Sequence, residues 1–544
     1  MVYIPNQEFQ NWGLTVKNTP SYTFIAKTRV GVQNLIKWAA KPEVNKRVRV
    51  AGFRHTWGDF YAADGEIIVI LLPLLTTISL PSILVVDKNS DLQGITVFEK
   101  DGQNYARIAA GTTNDQFRQW CYDKRTVALP LNVIMIEITY GGSNAPVCHG
   151  AGITTSTLSD LVAEVEYVDP KGEIRTVSDP AELRAASGCF GLLGVVLSIT
   201  LRVDKMQKAL LTPQKVPVAL AIPPPPNYDV PAWIDMSQYS QQQLDEAQKK
   251  FEETVEKQYY VEWFWFPFQD NVWVNVWTRA DITTAQWLDP YPSNFQAALQ
   301  WLEGFFAEVI NNWAPFQRLP GWLQAFIFGT IGMLQMPDVP DTNHPITTYV
   351  SEALHFRRGI QNMRCLDSEW EIPIPAPKPG SGKPRDYTVI QRAWWDGITS
   401  FYNNLATCPM RVTLEMRLTG SSNVIMAPQQ HNDYGTCSIE VLTTLNPTEQ
   451  EWKDYKQQVV DMWSKYTDAS GKPLNIRPHW AKEWQGLNVR NKDVIKYLQE
   501  DAYPNEIKEF VDTLSSITSK RGSSLAESRQ RFSNPLLEQL IFKT

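Results

Sequence analysis

The chain runs to 544 residues, long enough to bury a large core and to divide into about two to four domains. Its 51 Lys+Arg against 58 Asp+Glu leave a formal net charge of −7, which offers no general attraction to nucleic acid or to an anionic membrane and argues against a nucleic-acid function. The 20 Trp, 20 Tyr and 22 Phe suit the lining of a deep apolar pocket, although most belong in the core.

Met1 to Trp12 is polar and lacks the apolar core of a secretory signal, so none is expected, and the compartment stays open. After a leading arm from Trp12 to Pro20, Gly31 to Ala40 carries Val32, Leu35, Ile36 and Ala39 at helical spacing, which predicts an amphipathic helix. The short strand Val48-Arg49-Val50 feeds Ala51-Gly52-Phe53-Arg54-His55-Thr56-Trp57. Gly52 permits a turn or a close approach to a ligand, the amides beyond it can form an anion-binding nest, and Arg49 and Arg54 supply charge for phosphates. Taken alone, this stretch reads first as a turn with a locally packed His55.

Ile67 to Leu72, Leu84-Val85-Val86-Asp87, Ile95 to Phe98 and Ala106 to Gly111 read as strands, and Thr113 to Cys121 as a helix, an alternation expected of an α+β or α/β half-domain. Pro73 and Pro81 break the apolar run from Ile67 to Val86 into sheet strands and turns, not a membrane span. A second glycine-rich loop, from Gly141-Gly142-Ser143 to Cys148-His149-Gly150-Ala151-Gly152, lets the main chain pass close to a planar or phosphorylated ligand. Val162 to Val168 follows as a strand, and Gly188, Gly191 and Gly194 form a third glycine-bearing turn ahead of the strand from Leu197 to Val203.

After Lys208 the character changes. Ile222 to Asn227, with four consecutive prolines, is the best candidate for a stiff linker. A helix from Leu244 to Glu256 and aromatic strands from Val261 to Pro267 and Val272 to Trp277 come next. Glu262 is the exception among those aromatics, a carboxylate either exposed at an edge or held in a site. Gln296 to Met336 reads as two apolar helices forming a wall or lid; its Trp322–Met336 part is too short to span a bilayer, with an interfacial anchor as the lesser alternative. Glu369 to Pro373 is a strand, Pro375 to Pro384 an exposed loop and Trp394 to Leu405 a helix.

Val412 to Thr419 is a strand by composition, so Glu415 and Arg417 share one face and Leu414, Met416 and Leu418 the other. Such a pair can neutralise itself in an apolar wall or act on a substrate hydroxyl, and an exposed pair of little energetic weight is the commoner arrangement. Arg477-Pro478-His479-Trp480-Ala481-Lys482 reads by itself as a proline-initiated turn with a packed tryptophan. The six cysteines, Cys121, Cys148, Cys189, Cys365, Cys408 and Cys437, are scattered without a CxxC pair and indicate neither a zinc site nor a small disulfide scaffold. His344, His355 and His431 belong to no motif and read as structural or surface residues.

Together, the His55 loop, residues 141–152, the Glu415-Met416-Arg417 strand and His479-Trp480-Ala481-Lys482 resemble the vanillyl-alcohol-oxidase, or PCMH-type, family of FAD-linked oxidases. Within it they are most similar to the alditol and aldonolactone oxidases and the type II cholesterol oxidases with covalent flavin. The resemblance implies an α+β chain with three parts. These are a two-subdomain PCMH-type FAD-binding domain over 1–208, a substrate-binding cap over 209–489 built on a large antiparallel sheet with helices, and a segment over 490–544 that returns to the FAD domain. It also implies FAD attached through its 8α position to His55. The site it implies comprises Arg49, Gly52, Phe53, Arg54, Thr56, Trp57, Gly111, Gly141, Gly142, Ser143, Cys148, His149, Gly150, Gly191, Gly194 and Val195. Cys148 stands where singly linked relatives carry a small residue before His-Gly, so no second covalent bond is expected.

In the implied site Lys482 lies by the flavin, where a fixed ammonium holds the negative charge that hydride transfer leaves, and His479 supports it. Glu415, with Glu262, orients the substrate hydroxyl or takes its proton, while Arg417 holds the oxygen and tunes Glu415. The reaction implied is oxidation of CH–OH to a carbonyl with hydride transfer to flavin N5 and O2 reduced to hydrogen peroxide, without a metal. A small-molecule alcohol and O2 are the expected partners. The long aromatic insert between Ile282 and Pro345 departs from a compact polyol oxidase and favours a bulky or apolar, sterol-like alcohol. A polyol or aldonolactone oxidase, a dehydrogenase of the same fold and a non-catalytic flavin-fold binding protein are the alternatives; His55, Glu415, Arg417 and Lys482 together argue against the last.

Overall fold

The uninterrupted apolar run Ile67–Ile70 lies inside a four-stranded sheet, flanked in parallel by Tyr22–Ile25 and Val48–Ala51, with Val2–Pro5 antiparallel at the edge. Such a strand is covered on both faces, which is why it carries no polar residue. Helix Arg29–Ala39, capped by the Thr28 side chain, lays Val32, Leu35, Ile36 and Ala39 into this core. The computed structural model describes residues 2–78, 80–81, 86–283 and 287–543, so Leu84 and Val85 of the strand expected at Leu84-Val85-Val86-Asp87 lie outside the described residues, and Val86 and Asp87 are not in a strand.

A second sheet is antiparallel, in the order Ile174–Val177, Val162–Val168, Val195–Lys205, Gln103–Ala109 and Ile95–Lys100. The glycine-rich stretch expected as a loop instead begins as a short helix, Tyr140–Asn144, because Thr139 caps it by accepting from the Gly142 amide.

Nine antiparallel strands form the third sheet, whose central order is Asn271–Ala280, Tyr260–Trp265, Thr413–Thr419, Thr436–Thr443 and Leu366–Pro373. One face buries Trp263, Trp265, Leu414, Met416, Ile439 and Trp370 beneath helices Tyr387–Asn403 and Glu449–Trp463. The other face carries most of the charged residues of the site, so strand alternation alone separates core from chemistry. The proline run is no linker: Ile222 and Pro223 are buried, and their carbonyls accept from Trp395 Nε1 at 2.8 Å and Gln391 Nε2 at 2.6 Å. Strand Lys208–Leu211, ahead of that run, already belongs to the third sheet.

The aromatic insert forms helices Asn294–Asn311 and Gly321–Gln335. Gly329 lets the second pack tightly, since a Cβ there would sit 2.3 Å from the Pro267 carbonyl oxygen. The outer surface leaves Phe295 at 78%, Trp313 at 61% and Leu334 at 73% exposed. Among the described residues no helix is long and apolar enough to cross a membrane. The C-terminal helices Glu506–Lys520 and Leu525–Phe532 fold back onto the first two sheets. There Arg531 donates to the Ala39 carbonyl at 2.6 Å, and Asn534 to the carbonyls of Asp59 at 2.8 Å and Tyr61 at 3.0 Å.

Candidate active site

A cavity of about 640 Å3 separates the two N-terminal sheets from the charged face of the third. On the N-terminal side it is lined by Arg49, Gly52 to Trp57, Gly141, Gly142, Ser143, Cys148, His149, Gly150, Gly191 and Gly194. Gly52 is required there, because a Cβ would fall 2.1 Å from Thr139 Oγ1. Two expected residues do not line the cavity. Gly111 turns inward, its amide donating to the Leu92 carbonyl at 2.8 Å, and Val195 points from its strand into the core beside Val168 and Leu197.

Arg49, expected to meet phosphates, is spent on three carbonyls: Phe60 at 2.8 Å, Phe190 at 2.8 Å and Phe532 at 2.7 Å. It clamps the strand before the His55 loop to the third glycine turn and the C-terminal tail, and burial lowers its pKa to about 10. Arg54 donates to the Gln10 carbonyl at 2.7 Å while its Nε is buried without a hydrogen-bond partner. The Trp57 amide donates to the Ala481 carbonyl at 2.8 Å and its indole to the Cys365 carbonyl at 2.9 Å, so the loop is held by segments adjoining the third sheet.

His55 stacks on Trp12 with ring centroids 4.2 Å apart, and both of its ring nitrogens are buried with no hydrogen-bond partner among the described residues. Burial, then Lys482 and Arg54, lower its pKa to about 3, so the imidazole is neutral. Orphaned nitrogens of this kind are uncommon in a closed site. A neutral nucleophilic ring beside glycine-lined walls fits the flavin that the sequence resemblance implies. Cys148 also reaches the wall as a buried thiol whose pKa burial pushes up to about 12.

Across the cavity the sheet register builds two charged rows. Phe264, Glu415, Glu440 and Glu369 face one another on adjacent strands, as do Glu262, Arg417, Ser438 and Glu371. Arg417 donates through Nε to Glu262 at 2.7 Å, through Nη2 to Glu415 at 2.7 Å and through Nη1 to Glu440. Lys482 Nζ meets Asp367, Glu440 at 2.7 Å and Glu369 at 3.5 Å, and lies over the Trp57 ring at 5.2 Å. Five carboxylates, Glu262, Glu415, Glu440, Asp367 and Glu369, thus share two fixed cations, and protons must make up the difference. Burial, then Glu440, holds the Glu415 carboxyl well above the usual carboxylate range, and Asp367 is raised for the same two reasons. Burial opposes ionisation of Glu440 as well, but Lys482 and Arg417 outweigh it and hold its pKa at about 2.

His149 lies between Glu369 at 2.9 Å and Glu371 at 3.3 Å, and although burial works against its charge these two keep it protonated well above the usual histidine range. His479 packs edge-on to His149 with centroids 5.3 Å apart, accepts from the Ala481 amide at Nδ1 and is held neutral by burial, with its pKa lowered to about 3. His149, Glu369 and His479 offer ligand atoms within 4.8 Å of one another, but His149 and Glu369 are already bonded together and Lys482 meets the other Glu369 oxygen.

Glu415, Arg417, Glu262, His479 and Lys482 therefore come together on one wall, opposite His55. Asp367, Glu369, Glu371 and Glu440 complete the cluster and escaped sequence reasoning. Their one signal was acidic residues at period two, Asp367, Glu369 and Glu371, in a strand whose other face is Trp370 and Ile372.

The FAD binding domain profile matches residues 20–178, covering most of the first two sheets, and the D-arabinono-1,4-lactone oxidase profile matches residues 230–517, more than half of the chain. No curated protein sequence matches. Among solved structures, cholesterol oxidase from B. sterolicum aligns over 99% of this chain and 97% of that one, with a TM-score of 0.67 and 16% identity. A solvent-stable cholesterol oxidase aligns over 96% of this chain and 97% of that one, with a TM-score of 0.66 and 15% identity; at such identities the likeness is one of fold. The chain belongs to the D-arabinono-1,4-lactone oxidase family and is an FAD-dependent oxidoreductase built on the PCMH-type flavin fold.

Proposed function

We propose that this enzyme oxidises a CH–OH group of a bulky, largely apolar alcohol to a carbonyl, with O2 as the final acceptor and hydrogen peroxide as the second product. The observation that carries the reading is that one cavity is shared by His55, the Glu415–Arg417 pair, Lys482 and an apolar wall of Phe264, Phe266, Phe328, Ile331 and Phe356. The chain then divides into an FAD-binding domain over 1–208, a cap over 209–489 and a returning tail over 490–544. Residues 52–57 and 139–150, with Gly191 and Gly194, would hold FAD, which supplies a two-electron acceptor. Glu415 takes the hydroxyl proton, Arg417 holds the substrate oxygen, and Lys482 fixes positive charge at the same wall. The aromatic side chains take the substrate body and exclude water.

The neutral, unpartnered His55 ring supports covalent attachment of the flavin 8α carbon. Exchange of that C–H for C–N is a two-electron oxidation for which O2 is the oxidant. Acid precipitation of the purified protein tests both parts. Yellow colour is expected in the wild-type pellet and in the supernatant of His55→Ala. Wild-type colour in the supernatant would remove the covalent link alone, and a colourless protein that takes up no added FAD would remove the oxidase reading.

A second reading, an aldonolactone as substrate, is favoured by the family match over 230–517. Peroxide formation with D-arabinono-1,4-lactone, a sterol and a long-chain alcohol, compared side by side, separates the two. Anaerobic flavin reduction followed by mixing with O2 separates an oxidase from a dehydrogenase.

A further inference from the structure

Most cations around the cavity have their partners. Arg417 and Lys482 each meet three carboxylates, Arg358 pairs with Glu352 at 3.2 Å, and Arg49 is bound to carbonyls. Arg54 belongs to the cofactor loop. Arg357 is different: it lines the substrate side of the same cavity, yet among the described residues it forms no ion pair. Its Nη2 donates to Gln335 Oε1 at 3.0 Å, which fixes the plane of the guanidinium, while Nη1 is buried with no hydrogen-bond partner.

The surroundings make this arrangement unfavourable as it stands. Phe356 precedes it in the chain and belongs to an aromatic cluster with Phe264, Phe266 and Met336, against which Tyr291 packs. Burial lowers the Arg357 pKa, with Glu303 and Glu415 acting on it only through space. A guanidinium nevertheless keeps its charge, and a buried charge without a counter-ion is strongly disfavoured unless a ligand supplies one. The free edge of a fixed guanidinium is matched in shape and charge by a carboxylate.

We propose that Arg357 binds a carboxylate on the substrate, so that the alcohol oxidised here is an amphipathic hydroxy acid. Its apolar body lies along the aromatic wall, its hydroxyl at Glu415 and its carboxylate at Arg357. The inference rests on the assignment of this half of the cavity to the substrate, and it accounts for a cation that has no ion-pair partner beside the aromatic wall. It makes Arg357 a specificity-determining residue, with no part in the proton or hydride transfer.

The test is binding of octanoate and octanamide to the flavin-loaded enzyme, followed by calorimetry and by perturbation of the flavin absorbance, neither of which needs turnover. Octanoate is expected to bind at least tenfold more tightly than octanamide. Arg357→Met abolishes that preference and leaves octanamide binding unchanged, whereas Arg357→Lys keeps part of it. Equal binding of the two probes to the wild type, or a preference that survives in Arg357→Met, overturns the proposal. Should Arg357→Met fail to fold, the wild-type comparison and Arg357→Lys still decide. An enzyme that prefers octanoate through Arg357 but oxidises no alcohol would keep this site and lose the oxidase reading.

Discussion

Arg417 is the shared counter-charge of Glu262, Glu415 and Glu440, and its removal leaves buried carboxylates facing one another. Arg417→Leu is expected to lose about 3–5 kcal/mol of stability in urea unfolding at neutral pH. Arg417→Lys should recover only part of this, since Arg417 serves each carboxylate from a different nitrogen of a planar fork that a point-charge ammonium does not reproduce. In the proposed reaction Glu415 sets the pH dependence. It accepts a proton only when ionised, and burial with Glu440 beside it raises its pKa well above the ordinary value. Accordingly kcat/KM should fall as pH is lowered through that raised pKa, and Glu415→Gln should remove this limb with a loss of about 10²–10⁴-fold; a profile unchanged in the variant would assign the proton elsewhere. His55, Glu415, Arg417 and Lys482 could be singled out because each sits in a short stretch that resembles a motif of the flavin-oxidase family; taken alone the same stretches read as turns and an exposed pair. Glu440 and Asp367 were not, because their meaning comes from which strands lie side by side, and that adjacency is not written in local sequence. Arg357 lies in a segment without a motif and acquires significance only from the cavity around it.

Alternation made the strands of the third sheet readable, since Glu415 and Arg417 against Leu414, Met416 and Leu418 fix two faces before any partner strand is known. Glycine and proline were less informative. The pair Gly141 and Gly142 suits an open loop and the first turn of a capped helix equally well, and Thr139 decides between them. The four prolines after Ile222 have the composition of a linker, but the start of the run, at Ile222 and Pro223, is pinned by Trp395 and Gln391 from a helix far along the chain. Two glycines of the insert should behave differently for a similar reason. At Gly329 an added Cβ meets backbone, the Pro267 carbonyl at 2.3 Å, so Gly329→Ala must displace the helix and should cost about 1–3 kcal/mol by scanning calorimetry. At Gly332 it meets the Phe266 ring at 2.5 Å, and a side chain can turn aside. Because Phe266 lines the cavity, Gly332→Ala should leave stability nearly unchanged while raising KM for the bulkiest substrates; a stability loss equal to that of Gly329→Ala would show that Phe266 has no room to move.

Across the whole molecule, buried titratable groups pull stability in opposite directions as pH changes. His355 and His479 are each held at about 3 by burial, whereas in the unfolded chain they titrate near 6.5. Below about pH 6.5 the unfolded state therefore binds protons that the folded state refuses, and stability falls by about 1.4 kcal/mol per pH unit for each histidine. Glu415 and Asp367 act the other way: their raised pKa values keep protons in the folded state that the unfolded chain releases, so their contribution declines as pH rises above the ordinary carboxylate range. His355 separates the two effects, because it is bonded to the Ile134 carbonyl at 3.1 Å and Asn132 at 3.4 Å, away from the carboxylate rows. His355→Gln should be less stable than wild type at pH 7, having lost that packing and hydrogen bonding. At pH 5 the gap should narrow by about 2 kcal/mol, since only the wild type carries a histidine that must stay neutral. Urea unfolding at the two pH values measures both gaps. A gap that stays constant would mean that His355 takes up its proton in the native state, and the acid sensitivity of the fold would then rest on the cavity histidines, His55 and His479.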